Sequence, residues 1–258
     1  MKRARARWVI KAGSNLIVSG GPLILRTWMI QVAALRRDFG IEVIWVTSGA
    51  IASAVDRIQF KRRERKLAES QALSAIGQPL IMDLYNLSLQ AVGLQGAQVL
   101  LTADDIAHSA RRKNLKNTLE KLLEWRVTPI LNENDAVATE EIKFGDNDSL
   151  SARVASLANA DRLVILTDVA GLYDRNPLTN LKARLIPHLP RVTEKLLSTI
   201  DHGSGSNRGT GGMYSKLSAA RLAQKHKIDT WMVKGDSPSI LLDVAKNRAV
   251  GTCIGRRR

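Results

Sequence analysis

A lysine directly follows the first short apolar run of the chain. Residues 8–10 read Trp-Val-Ile, and Lys11 precedes Ala12 and Gly13. In a sheet of parallel strands, a residue at the end of a strand lies at the carboxyl edge, where α/β proteins bind their ligands. An ammonium group there could stabilise the negative charge of a phosphoryl group. A single lysine is equally compatible with a surface role, so Lys11 predicts a site only in combination with other elements.

A second lysine follows a glycine-rich segment. Residues 209–216 read Gly-Thr-Gly-Gly-Met-Tyr-Ser-Lys, and the helical pattern that they open runs to about Lys225. Glycines let backbone N–H groups approach phosphate oxygens, and a helix N-terminus favours negative charge. Lys216 would lie about one turn into that helix, where its ammonium group could reach a phosphoryl group in transfer. The alternative interpretation is a flexible loop that leads into a helix.

Two aspartates, Asp146 and Asp148, flank Asn147 in the run of residues 145–151, and a helical stretch follows. On local evidence this is an Asx turn and a helix N-cap. The functional interpretation is a carboxylate that holds lysines or a magnesium ion in place. Nine of the 24 acidic residues lie between residues 133 and 174. In so basic a chain, this concentration favours a defined role over random surface charge.

Other site signatures do not occur in the sequence. It has no Gly-x4-Gly-Lys-Ser/Thr loop, no Gly-x-Gly-x-x-Gly after a strand, and no His-Arg-Asp motif to accompany the Asp-Phe-Gly run at residues 38–40 as in a protein kinase. The four histidines are scattered without partners at metal-ligand spacing, which argues against a structural zinc site. One cysteine, Cys253, excludes an internal disulfide and indicates a reducing compartment.

The elements that must position these residues alternate along the chain. Short apolar runs of strand length lie at residues 8–10, 43–46, 99–101, 129–131, 163–166 and 230–233. Helical spacing of apolar residues lies between them, at residues 28–39, 73–87 and 115–122. The alternation predicts an α/β fold with a largely parallel sheet. Without an internal repeat or a Pro/Ser-rich linker, we expect residues 1–258 to form a single domain.

Composition restricts the class of protein and its partners. The chain has 258 residues, of which 45% are hydrophobic and 4% aromatic, and its net charge is +15. No run of 18 uninterrupted apolar residues occurs, so we expect no transmembrane helix. The charge favours anionic partners without choosing among them. Its clusters, at the two chain ends and at residues 61–66 and 111–113, are interpreted as solvated surface or, as the alternative, a polyanion-binding face.

Taken together, these segments resemble the glutamate-phosphorylating branch of the amino acid kinase family, over nearly the whole chain and in the family's order. The matching runs are VIKAGS at 9–14, VTSGAIA at 46–52, NENDAVAT at 132–139, GDND at 145–148, LTDVAGLY at 166–173 and GTGGM at 209–213. Family members usually have Gly-Thr-Ser where this chain has Gly13-Ser14-Asn15, and a Ser/Thr pair where it has Tyr214-Ser215. Many relatives continue into a PUA domain, which we do not expect in this chain.

The resemblance implies a three-layer sandwich of helices around a mostly parallel central sheet. Its N-terminal part would bind the amino acid, and the part from about residue 160 would bind ATP. Lys11 and Lys216 would stabilise the γ-phosphoryl group in transfer, and Asp148 would orient both lysines. Ser48, Asn132, Asp135 and Asn147 would bind glutamate. The residues expected around ATP, besides the two lysines, are Gly13, Thr167, Asp168, Thr210, Gly211, Gly212 and Met213.

The expected activity is the ATP- and magnesium-dependent phosphorylation of the γ-carboxylate of L-glutamate, the first step toward proline, in the cytoplasm. No protein metal ligand is assigned, since Mg²⁺ would arrive with ATP. The resemblance further implies a homo-oligomer, a dimer or tetramer, and feedback inhibition by proline. Two alternatives stay open. One is another small carboxylate or carbamate kinase of the same fold, and the other is a basic nucleic-acid-binding protein on a degenerate kinase scaffold, although we expect no requirement for nucleic acid.

Overall fold

The fold was taken from a computed structural model that describes residues 5–61, 65–138, 146–177, 179–200 and 212–256. Helices and strands alternate through most of the chain. The elements, in chain order, are β1 (Arg7–Ala12), α1 (Ser14–Phe39), β2 (Glu42–Val46), α2 (Ala50–Arg57), α3 (Leu67–Gln90), β3 (Gln95–Leu101), α4 (Ala103–Ala107), α5 (Ser109–Glu124), β4 (Val127–Glu133), α6 (Asn147–Leu157), β5 (Arg162–Thr167), β6 (His188–Leu189), α7 (Glu194–Thr199), α8 (Met213–Lys225), β7 (Asp229–Lys234), α9 (Ile240–Ala245) and β8 (Thr252–Ile254).

The eight strands form one sheet in the order β3-β4-β2-β1-β5-β7-β8-β6. The strands from β3 to β7 are parallel to one another, whereas β8 runs antiparallel to β7 and pairs in parallel with β6. All six predicted strands are therefore confirmed, as is the mostly parallel sheet. β6 and β8 were not predicted, because two or three residues carry too little pattern to stand out from a loop.

Helices cover both faces of the sheet, which confirms the predicted three-layer sandwich. Alternate strand residues contribute to two apolar clusters, because side chains along a strand point to opposite faces. On one face, Val9, Val46 and Ile165 pack with residues of α4 to α8. On the other face, Ile10 and Trp45 pack with residues of α1, α2, α3 and α9. Buried aliphatic strands between two helical layers are what a parallel sheet requires.

Helix α1 illustrates how local sequence sets an element's limits. It begins after Gly13, contains a kink at Gly21 (φ 52°) before Pro22, and ends at Gly40, whose φ of 64° is a left-handed C-cap. By length and composition, α1 is the one helix of the described residues that could span a membrane. Its fully buried side chains, Leu25, Trp28, Met29 and Leu35, pack in the cluster on the sheet, so the packing is that of a core helix.

Candidate active site

The candidate site lies at the carboxyl edge of the sheet, around its central strand. Strand β1 pairs with β2 on one side and with β5 on the other. From β1 the sheet continues through β2, β4 and β3 on one side and through β5 and β7 on the other. Strand β1 is therefore the point where the strand order reverses. In open parallel sheets, ligands bind in the crevice beyond the strand ends at this point. The residues that follow β1, β2, β4 and β5 all open into this region.

Three of the predicted residues meet at the centre. Asp148, at the start of α6, is fully buried, and its two carboxylate oxygens contact different lysines. Lys11 Nζ lies 2.6 Å from Asp148 Oδ1, and Lys216 Nζ lies 3.3 Å from Asp148 Oδ2. The exposed fractions of Lys11 and Lys216 are 5% and 8%. The two buried ammonium groups thus contact opposite oxygens of one carboxylate, and both positive charges lie at the carboxyl edge of the sheet.

The charges explain the protonation state of the carboxylate. Burial alone would raise the pKa of Asp148, but the charges of the nearby Lys11 and Lys216 outweigh this effect and lower the pKa to about 2. The Ser215 hydroxyl also donates to Asp148 Oδ2 at 2.8 Å. Asp148 is therefore ionised at neutral pH. The neighbouring Asp146 has a raised pKa, chiefly because it is buried and secondly because Asp148 repels it.

Helix starts place these side chains. Asp146 is the N-cap of α6 and accepts from the Ser149 backbone N–H at 2.7 Å, so Asp148 lies in the first turn. Helix α8 begins after Gly212, and Lys216 lies one turn in, as the sequence predicted. Leu150 of α6 and Leu217 of α8 are fully buried in the same apolar cluster, which fixes one helix start against the other. The Asx-type cap and the functional carboxylate therefore coexist in adjacent residues.

Asn147 links three segments that the sequence treated separately. Its Nδ2 lies 2.7 Å from the Thr47 carbonyl oxygen, 2.9 Å from Ser48 Oγ and 2.8 Å from Asn132 Oδ1. An amide group carries two N–H donors, so three acceptors share two hydrogens. The predicted residues Ser48, Asn132 and Asn147 thus form one hydrogen-bonded cluster beside Asp148.

Asp135 lies in the loop after β4 and is half-buried. Ser74 Oγ of α3 lies 3.5 Å from Asp135 Oδ2. Gln78, four residues on along α3, donates to the Glu133 carbonyl at 3.3 Å. Helix α3 therefore supports the loop on which Asp135 lies, while the carboxylate stays half-exposed to solvent.

The residues predicted to bind the nucleotide lie on the β5 side. Thr167, at the end of β5, is buried and its hydroxyl donates to Asp168 Oδ1 at 3.1 Å. Asn15, at the position where the family usually has serine, donates to Asp168 Oδ2 at 3.3 Å. Both oxygens of Asp168 are thereby engaged across the space between the β1 and β5 loops.

The structure describes some of the remaining residues that were predicted to lie around ATP. Gly13 precedes α1, and a Cβ there would lie 3.6 Å from the Leu166 carbonyl oxygen and 4.0 Å from Lys11 Nζ. Gly212 is the N-cap of α8 and has no side chain, so it does not itself cap the backbone N–H groups at the start of this helix. Met213, the first residue of α8, is partly buried and packs against the apolar core. Thr210 and Gly211 lie outside the described residues.

Two contributors to the site were missed. The Thr47 carbonyl holds Asn147, and Ser215 binds the central carboxylate. A backbone carbonyl has no signature in residue type, so Thr47 was not predictable from the sequence. Ser215 adjoins Lys216, and adjacency to a predicted site residue was the available signal.

The chain belongs to the amino acid kinase family, whose model it matches over residues 6–234. It is 45% identical over 250 residues to a glutamate 5-kinase of Geobacter sulfurreducens, covering 95% of this chain and 66% of the relative. A glutamate 5-kinase of Deinococcus radiodurans is 43% identical over 250 residues, with 95% and 68% covered. One of Thermus thermophilus is 43% identical over 255 residues, with 98% and 68% covered. This chain spans about two thirds of the length of these relatives.

A solved structure supports the same fold. The T. acidophilum isopentenyl phosphate kinase, in a product complex, superposes with a TM-score of 0.64 over 96% of this chain and 100% of that one. The sequence identity is 14%, so the likeness concerns the architecture of the sandwich and not the substrate.

Proposed function

We propose that this chain transfers the γ-phosphoryl group of ATP to the γ-carboxylate of L-glutamate, giving L-glutamyl 5-phosphate, the first step toward proline. The observation that carries the proposal is the pair of buried ammonium groups of Lys11 and Lys216 on opposite oxygens of Asp148. Phosphoryl transfer depends on positioning and on positive charge around the equatorial oxygens. The names of the relatives at 45% and 43% identity support glutamate as the acceptor.

The site is suited to an acceptor that needs no general base. The γ-carboxylate of glutamate is ionised at pH 7 and can attack the γ-phosphorus in line without giving up a proton. In this proposal Lys11 and Lys216 offset the charge that develops on the phosphoryl oxygens. Asp148 is a positioning residue, because its ionised oxygens hold both lysines in place.

The two halves of the substrate site would lie on either side of this centre. We assign glutamate to the cluster of Ser48, Asn132 and Asn147, with Asp135 accepting from the α-ammonium group. We assign ATP to the β5 side, at Thr167 and Asp168 and along the start of α8, where the backbone N–H groups after Gly212 favour phosphate. Gly13, with no Cβ between Leu166 and Lys11, would let a phosphate approach the backbone.

Mg²⁺ would supply further charge neutralisation on the phosphates and would enter as MgATP. Within the described residues, no group of three His, Cys, Asp or Glu side chains could enclose an ion. Both oxygens of Asp148 contact lysines, so this carboxylate is not assigned to the metal.

The direct test is ADP release with MgATP and a panel of acceptors. L-Glutamate should support turnover, whereas L-aspartate, N-acetyl-L-glutamate and carbamate should support little. Formation of an acyl phosphate is checked by trapping with hydroxylamine as the hydroxamate. Preferred turnover of carbamate or another small carboxylate would identify the alternative, a different kinase of the same fold. ADP release without a trapped hydroxamate would contradict transfer to a carboxyl group.

The nucleic-acid alternative is distinguished by salt. Binding through phosphate contacts should weaken steeply with salt, with a log–log slope of roughly 0.7–0.9 per contact. Kinase turnover should be unchanged after nuclease treatment of the preparation. Turnover that appears only with added nucleic acid would overturn the leading assignment.

Regulation, assembly and location complete the proposal. Proline shares the α-amino and α-carboxylate groups of glutamate, so we expect it to compete for the same half of the site. Saturating proline should lower initial rates at low glutamate, and unchanged rates would contradict this. We further expect a homo-oligomer, measurable by light scattering, and a cytoplasmic location, which the single cysteine of the sequence fits.

A further inference from the structure

Two tryptophans lie side by side beneath the candidate site. Trp28 of α1 and Trp45 of β2 are both fully buried. Their ring centroids are 5.5 Å apart with an interplanar angle of 42°, a tilted packing that aromatic pairs favour. Each buried indole N–H needs an acceptor, and the two N–H groups point to different halves of the site. We refer to Trp28 and Trp45 as the tryptophan pair.

The Trp45 indole connects to the segment proposed to hold glutamate. Its Nε1–H donates to the Tyr85 hydroxyl at 2.8 Å, and the Tyr85 and Thr47 hydroxyl oxygens are 3.0 Å apart. The Thr47 hydroxyl also reaches the Ser48 carbonyl at 3.3 Å. The Thr47 hydroxyl carries one proton and donates it to the Tyr85 hydroxyl or to the more distant Ser48 carbonyl. The contacts therefore connect Trp45 through Tyr85 and Thr47 to Ser48.

This chain of bonds ends at Asn147. The Thr47 carbonyl and the Ser48 hydroxyl are two of the three acceptors of the Asn147 amide. Tyr85 is fully buried, and its hydroxyl bonds to Trp45 on one side and to Thr47 on the other. It therefore acts, with Trp45, on the conformation of residues 47–48 and on the orientation of Asn147.

The Trp28 indole connects to the segment proposed to hold ATP. Its Nε1–H donates to the Gly235 carbonyl at 2.8 Å, and the Gly235 N–H donates to the Thr167 carbonyl at 2.9 Å. A Cβ at Gly235 would lie 2.5 Å from Leu16 Cδ1 and 3.5 Å from Trp28 Cζ2. A Cβ there would displace the end of the Leu16 side chain, so α1 packs closely against the residue that follows β7, and the bond from Trp28 supports the segment that pairs with the end of β5.

We propose that Trp28 and Trp45 are positioning residues, each for one half of the bisubstrate site: Trp45, through Tyr85 and Thr47, for the acidic amino-acid acceptor, and Trp28, through Gly235 and Thr167, for the nucleotide. Their ring contact is the direct packing link between the two supports. This inference rests on the proposed function for the identity of the two ligands. It predicts that substitutions at two neighbouring core positions change the affinities for two different substrates.

The test measures two affinities in each variant. Trp45→Phe and the isosteric Tyr85→Phe each break the bond at the Tyr85 hydroxyl, and Trp28→Phe removes the bond to Gly235. Titration calorimetry gives Kd for L-glutamate and for a non-hydrolysable ATP analogue, and steady-state kinetics give both KM values. Trp125→Phe is the matched control, because Trp125 is 66% exposed and lies outside both chains of bonds.

We expect Trp45→Phe and Tyr85→Phe to weaken glutamate binding about threefold to tenfold and to change the ATP analogue less than about twofold, following the usual size of one buried hydrogen bond. Trp28→Phe should give the reverse pattern. The double variant Trp28→Phe/Trp45→Phe should deviate from additivity, because the rings touch. Tyr85→Phe changes one oxygen only, so it provides the glutamate arm even if a tryptophan variant fails to fold, and Gly235→Ala provides the nucleotide arm.

Two failures are distinguishable. If the wild-type chain neither binds nor phosphorylates glutamate, the proposed function fails and the acceptor half of this inference fails with it. If the wild-type chain binds both ligands but the variants weaken both affinities equally, or weaken neither, the proposed function stands and the tryptophan pair has only a structural role.

Discussion

Lys11 Nζ lies 2.6 Å from Asp148 Oδ1, and the exposed fractions of the two side chains are 6% and 0%. Removing both charges from water costs free energy that their attraction recovers only with good geometry and further hydrogen bonds. Ser215 and Lys216 supply such contacts on the other carboxylate oxygen. An apolar pair would stabilise the fold at least as well, so the arrangement is better explained by a need for fixed positive charge than by stability.

Asp148 should show its role in the dependence of stability on pH. Its pKa in the folded chain, about 2, is below the usual 3.8. A lowered pKa means that the ionised form stabilises the fold above pH 3.8 and that this contribution is lost as pH falls toward 2. Asp148→Asn leaves both lysines without their carboxylate and should cost about 3–5 kcal/mol at pH 7.

The measurement is urea unfolding of both chains at several pH values. The difference in unfolding free energy should be constant from pH 7 to about 4 and should shrink below that value, since protonation of Asp148 in the wild-type chain imitates the variant. Asp146 is present in both chains. A difference that does not change between pH 4 and pH 2 would contradict the lowered pKa.

Lys216 should be necessary for turnover and not for folding. Lys216→Met keeps a long helix-forming side chain in α8 but removes one positive charge from the phosphoryl-transfer centre. Loss of one preorganised charge of this kind typically costs on the order of 10²–10³ in kcat. Lys225→Met, an exposed position in the last turn of the same helix, is the control and should keep full activity. A folded Lys216→Met enzyme with more than about a tenth of wild-type kcat, set against that range, would exclude Lys216 from the mechanism.

Gly77 should be intolerant of a methyl group. A Cβ there would lie 1.8 Å from the Ala50 carbonyl oxygen, so α3 and α2 pack backbone to backbone. Overpacking of this kind costs about 1–3 kcal/mol. Because Ala50 closely follows Ser48, Gly77→Ala should also raise the KM for glutamate. Urea unfolding and kinetics check both effects, and Ala72→Gly, exposed in the same helix, gives the backbone contribution alone. An unchanged unfolding midpoint for Gly77→Ala would show that α2 can move away freely.

The sheet was more predictable from the sequence than the site. Buried parallel strands are continuous apolar runs, so all six long strands could be located, and Lys11 could be placed at a strand end. The short helix α2 was not predicted, since its eight residues (Ala50–Arg57) follow a glycine turn and are too few for a helical pattern to repeat. The antiparallel strand β8 contributes Thr252, whose hydroxyl is buried by contacts to Leu172 and Ile186, and a polar residue does not suggest a core strand.

Residue types alone did not bring Lys11, Asp148 and Lys216 together. Each of the three residues has an ordinary local explanation. They come together because α6 and α8 pack over β1, and only the family resemblance implied this arrangement. The bonds of Trp28 and Tyr85 were beyond prediction for a related reason. Trp28 and its acceptor Gly235 are 207 residues apart, and no local pattern pairs an indole with a distant carbonyl group.

Asp135 should decide between glutamate and N-acetylglutamate. A free α-amino group is a cation with three N–H donors, and its site needs acceptors, ideally one that is ionised. Asp135 is the carboxylate that we assign to this task, and Ser74 Oγ lies 3.5 Å from it. N-Acetylglutamate presents a neutral amide there, which would leave Asp135 desolvated without a cation. Such mismatches are rejected strongly, so we expect discrimination of roughly 10³-fold or more in kcat/KM.

The matching variant is Asp135→Ala. It should raise the KM for glutamate and lose most activity at ordinary glutamate concentrations, while the Kd of an ATP analogue changes little, because Thr167 and the start of α8 are on the other side of Asp148. Ser74→Ala removes only the hydroxyl that approaches Asp135 and should give a smaller shift in the same direction. Discrimination against N-acetylglutamate should also diminish in Asp135→Ala, since the carboxylate that favours an ammonium group over a neutral amide is gone. Equal weakening of ATP binding would mean that Asp135 serves the nucleotide or the fold, and an unchanged glutamate KM in a folded variant would remove Asp135 from the acceptor site.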